Sequence, residues 1–192
     1  MSRMPTMREQ HAMMTNWLGF ACQVLEVSVA VFLRRGFGAR YFGGAAAAVI
    51  PAVLLYSLAW EGHDITGLLV FLALFIMALL KARIGSAFAE RRGRVCHSYY
   101  SGTPTLCSWP VFRGRLGEGT AKGLVEPLCV ALIGAALMST SEPLGFYLVI
   151  AAVGLMCSVS LAAAYERRRL MDMKDAYIAQ RYDAERFRAG KW

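Results

Sequence analysis

At 192 residues and 21.1 kDa the chain is one domain's length, yet 57% of it is hydrophobic and only 18% is charged. Soluble domains run nearer about 45–50% apolar and 25% charged, and a chain this short has too little interior to hide the excess. A mean hydropathy of +0.43 and a net charge of +8 therefore exclude an ordinary soluble domain. The basic residues flank apolar runs, so the charge is read as facing an anionic membrane and no nucleic-acid partner is expected.

The expected fold is an all-α polytopic membrane protein. Residues 1–15 form a short cytoplasmic segment carrying Arg3 and Arg8. They do not open a convincing signal peptide, because the apolar run that follows contains Gln23 and Glu26 and ends in Arg34-Arg35. Residues 16–35 are ambiguous. Asn16, Gln23 and Glu26 fall at spacings that share a helix face. The segment is either an amphipathic helix lying along the interface or a fifth span, and the interfacial reading is preferred. A carboxylate at Glu26 is expensive in lipid unless it faces protein.

Four further runs read as transmembrane helices in two hairpins. Residues 43–80 hold the first pair, Ala45 to Trp60 and Ile65 to Leu80. Residues 124–165 hold the second, Leu124 to Ser139 and Leu144 to Ala164. Each core is short, so flanking residues complete the roughly 20 needed to span. Small residues such as Ala131, Ala135 and Gly154 suit close helix packing. Pro51 lies inside the first span, near its start or at a kink. Glu126 is the one formal charge inside the four runs, and its place near a helix start suits the helix dipole. Glu26 and Glu126 are thus the candidate intramembrane polar residues.

The connections set an orientation. Glu61 to Asp64 and Thr140 to Pro143 contain no Lys or Arg, whereas residues 34–40, 81–123 and 166–192 are rich in them. The positive-inside rule puts the 81–123 loop and the C-terminus in the cytoplasm, at the inner membrane if the source is bacterial. The tail, residues 166–192, reads as a helix with Leu170, Met173, Tyr177, Ala184 and Phe187 at helical spacings.

The loop holds the most distinctive stretch, Arg94 to Pro110. Val95 to Tyr100 and Thr105 to Trp109 have the content of two short strands. Of the five cysteines, three lie in apolar stretches and none is expected in a disulfide. Cys96, His97 and Cys107 lack the spacing of a metal site, and adjacent strand residues point to opposite faces, which rules against a Cys96–His97 dyad. With Glu90 and Glu118 as its only acids, the loop is poorly equipped to hold Mg²⁺ for phosphoryl transfer. No catalytic, metal or cofactor signature stands out.

The function expected is a non-catalytic structural or assembly subunit of a larger membrane complex, of secretion, conjugation or energy-transducing type. Its partners would be the bilayer and other subunits, or further copies of itself. Cys96, His97, Tyr99, Tyr100, Trp109, Met173, Tyr177 and Phe187 form the candidate interaction surface. A small membrane enzyme or transporter with its site at the loop and helix ends is the first alternative. A lipid-binding or membrane-shaping protein is the second.

Overall fold

The computed structural model of the protein describes residues 7–37, 43–91, 102–108, 117–188 and 190. The described chain is mostly helical. It opens with α1 (Met7–Leu33), followed by a two-residue strand β1 (Arg34–Arg35), α2 (Gly44–Leu58) and α3 (Thr66–Arg91). A second short strand, β2 (Thr103–Pro104), leads into a 3₁₀ turn (Thr105–Ser108). A helical turn α4 (Glu118–Thr120) and a π turn (Ala121–Val125) then run into α5 (Glu126–Leu137), and α6 (Glu142–Arg188) ends the fold. Among the described residues, three helices are long and apolar enough to cross a membrane: Asn16–Leu33, Thr66–Phe88 and Glu142–Arg188. The shorter α2 is apolar throughout.

The chain divides into two units, Met1–Ser158 and Val159–Trp192. In the first, α1 supplies the centre of the core. Val27, Val29 and Ala30 are buried, and around them lie Ala45, Val49 and Val53 of α2, Leu68 and Phe75 of α3, and Ala151 and Leu155 of α6. α1 buries even Glu26 and Ser28 among its neighbours, and its stretch Asn16–Leu33 is long and apolar enough to span, which is the alternative reading of residues 16–35. The helix also begins at Met7, well before the expected position 16.

Short turns join α2 to α3 and α5 to α6, and the two turns lie side by side. Trp60 stacks on Phe146 with ring centroids 5.6 Å apart, and Tyr56 Oη donates to the Pro143 carbonyl at 3.2 Å. Such Trp and Tyr residues are typical of a membrane–water interface. Asp64 Oδ1 accepts the Thr66 N–H at 2.9 Å, which starts α3. Hydrogen bonds from Thr66 hold the Asp64 carboxyl below its ordinary range. Its support for the helix start is therefore present above the usual carboxylate pKa and fades as pH falls through the lowered value.

Glycine lets the helices touch where the turns demand it. A Cβ on Gly145 would stand 2.7 Å from the Gly134 carbonyl oxygen, and one on Gly154 would stand 2.5 Å from Leu25 Cβ. So α5 meets α6, and α6 meets α1, at backbone distance.

The second unit is the later part of α6. Every residue from Ala162 to Arg188 is exposed.

Candidate functional site

The site begins with a proline. Pro127 has no N–H to give to the carbonyl four residues back, and its ring would clash with that carbonyl in a regular helix. The chain relieves this with the π turn Ala121–Val125, after which the Glu126 N–H bonds the Ala121 carbonyl. π turns of this kind are frequent at functional sites. Here the turn precedes a glutamate whose side chain is fully buried.

Across from it, α1 ends at Leu33 and the chain bends into β1. Arg34 is 3% exposed. Its Nε donates to Glu126 Oε2 at 2.8 Å and its Nη1 to Glu26 Oε1 at 2.9 Å. Glu26 Oε2 in turn accepts the Ser158 hydroxyl of α6. Three segments far apart in sequence therefore meet on one guanidinium and its two carboxylates. The planar fork of arginine suits this better than a lysine point charge would.

β1 is held by β2 in an antiparallel pair, Arg34 opposite Pro104 and Arg35 opposite Thr103. Thr103 Oγ1 adds a bond to the Arg35 carbonyl at 3.1 Å. Gly102, at φ +80°, approaches so closely that a Cβ there would lie 3.0 Å from the Arg35 carbonyl and 3.2 Å from Arg34 Cβ. Residues 102–104 thus lie directly on the backbone that carries the buried arginine.

The balance of charge is notable. One guanidinium serves two carboxylates, and Glu126 Oε1 is buried with no hydrogen-bond partner among the described residues. Lys122, four residues earlier, adds positive potential at Glu126. Such a cluster is costly to desolvate and repays the cost only while every member stays paired. It can act as a structural pin or hold an exchangeable proton. It offers no nucleophile, and among the described residues no three His, Cys, Asp or Glu side chains cluster as a metal would require.

Of the candidate residues, Glu26 and Glu126 come together here. Glu126 lies in the first turn of α5, and its side chain also binds Arg34. Arg34, one of the basic residues that flank an apolar run, is buried. Cys96, His97, Tyr99, Tyr100 and Trp109 lie outside the described residues, as does the expected strand Val95 to Tyr100. Thr105 to Ser108 forms a 3₁₀ turn, not the expected strand, and the strand that does form pairs with β1. Met173, Tyr177 and Phe187 are 52%, 67% and 66% exposed on α6.

The chain matches no protein-family model, and no curated protein or solved structure is found to be similar to it.

Proposed function

We propose that the protein is a non-catalytic assembly subunit of a larger membrane complex, built as two transmembrane hairpins with α1 as a fifth helix inside them. The loop and tail face the cytoplasm in this reading, at the inner membrane of a bacterium. Lysine and arginine are absent from both tight turns and frequent in residues 81–123 and 166–188, which supports that orientation even with Arg34 removed from the count.

The observation that carries the proposal is the tail. From Val159 to Arg188 the helix is continuous and exposes Leu170, Met171, Met173, Tyr177, Ile178, Tyr182 and Phe187. A solvated helix with this much apolar surface is marginal alone, and its Arg181–Glu185 pair adds only about 0.3 kcal/mol. Leu170, Met173, Tyr177, Gln180, Ala184 and Phe187 follow the alternating three-and-four spacing of a coiled-coil seam. Arg167, Lys174, Arg181 and Arg188 occupy the position after each second seam residue, so one flank is wholly basic. Two parallel copies would set Arg169 against Lys174 and Asp183 against Arg188, one repulsive pair and one attractive, so self-pairing gains nothing from charge. A wholly basic flank is better met by an acidic helix of another subunit.

Purification in mild detergent should recover the chain with a second protein, and Met173→Asp with Tyr177→Asp should release that protein while leaving the membrane-embedded unit folded. A clean monomer that alone restores the phenotype of a deletion strain would sink the proposal.

A second reading, proton transfer through the bundle, draws on the buried Glu126 Oε1, which has no hydrogen-bond partner among the described residues. Vesicles carrying the protein and an internal pH dye would then acidify faster than lipid alone, and Glu126→Gln would abolish the difference. Wild-type vesicles indistinguishable from protein-free ones would remove this reading.

A further inference from the structure

Beside the ionic centre, α1, α3, α5 and α6 enclose a cleft of about 290 Å³ lined entirely by apolar residues. Val29 and Phe32 of α1 form its floor, Val70 and Leu74 of α3 one wall, and Ile133 of α5 the other. Val70, Leu74 and Ile133 are each about half exposed, so the cleft opens to the surroundings of the bundle. At the turn end it is shut, because Gly67 lies directly against Ser141.

We propose that this cleft holds one acyl chain of an anionic phospholipid, with Lys81 receiving the headgroup. Three observations lead there. The first is shape. The cleft follows α3 from Gly67 to Leu74, ~10 Å of helix, an elongated groove along which an extended hydrocarbon chain can lie. The second is chemistry, since the lining offers nothing polar to bond and an apolar chain asks for nothing. The third is charge. Seven residues make nearly two full turns, so Lys81 stands on the same face of α3 as Leu74, ~10 Å further from the shut end, and is exposed. A lysine there reaches the headgroup level by extending its side chain. The inference goes beyond the assembly role and needs only the membrane setting.

The test uses full-length protein released from mild detergent into native mass spectrometry, with phosphatidylglycerol or phosphatidylcholine of identical chains. Phosphatidylglycerol is expected to be retained about fivefold better, the effect of one lysine near an anionic headgroup. Lys81→Ala should erase that preference and keep the residual lipid binding. Leu74→Trp, and separately Val70→Trp, should fill the cleft and lose both lipids, with helix content unchanged by circular dichroism. Equal retention of the two lipids by the wild type would overturn the proposal. So would undiminished binding in both folded tryptophan variants.

Discussion

Arg34→Met is expected to cost about 3–5 kcal/mol, the usual penalty for removing one partner of a buried ion pair. The loss follows from what stays behind. Glu26 and Glu126 would remain in the bundle with no guanidinium between them, and Glu126 is fully buried. Glu126 is fully enclosed and Glu26 nearly so, and exposing either carboxylate to water disturbs the packing around α1. The variant should lose its monodisperse peak or unfold at lower temperature. Replacing the whole cluster, Arg34→Met with Glu26→Met and Glu126→Leu, is expected to recover most of the loss, because no charge then needs a partner. Ser158 would turn its hydroxyl to a carbonyl of its own helix, as Ser28 does to Leu25 at 2.7 Å. The triple variant also separates roles. If the cluster is a pin, the triple variant folds and assembles. If it moves protons, the variant folds and is inert in the vesicle assay.

The second large effect is steric. Gly145→Ala should cost about 1–3 kcal/mol, as overpacking does in close-packed interiors, and Gly145→Leu more. The atoms in the way are the Gly134 carbonyl oxygen and the Met138 amide nitrogen, both at 2.7 Å from the added Cβ, and backbone cannot rotate aside. The two helices must separate, and the contact between the adjacent turns goes with them. Gly85→Ala is the matched control, since nothing lies within 4 Å of its added Cβ and the site is an exposed helix position. There alanine should add roughly 0.5–1 kcal/mol through helix propensity. Chemical or thermal unfolding of the purified variants checks both signs.

These two sites show what could be read in the chain beforehand. The four apolar runs were legible because lipid demands long uncharged stretches, and α2, α3, α5 and α6 fall on them with small shifts. The α3 helix runs past the end of its apolar stretch to Arg91, as the helix-compatible content of Lys81 to Arg92 allows. Glu26 and Glu126 stood out as charges in apolar surroundings. Arg34 did not, because a basic residue beside an apolar run looks like any interface charge. What distinguishes it is a partner 92 positions away, and no local pattern carries that information. The Pro127 that follows Glu126 was the one available hint of an irregular helix. Gly134 and Gly145 were hidden for a similar reason. Glycines are common in membrane helices, and only the pairing of two helices picks out those at the contact.

The ionic centre requires α1 to be an interior helix. The thiols of Cys22 on α1 and Cys157 on α6 face one another, which gives a native probe. With Cys96, Cys107 and Cys129 replaced by alanine, a short bifunctional thiol reagent applied to the protein in membranes should join Cys22 to Cys157 within one chain. Absence of that link, with both thiols reacting freely and separately, would place α1 outside the bundle and contradict the account.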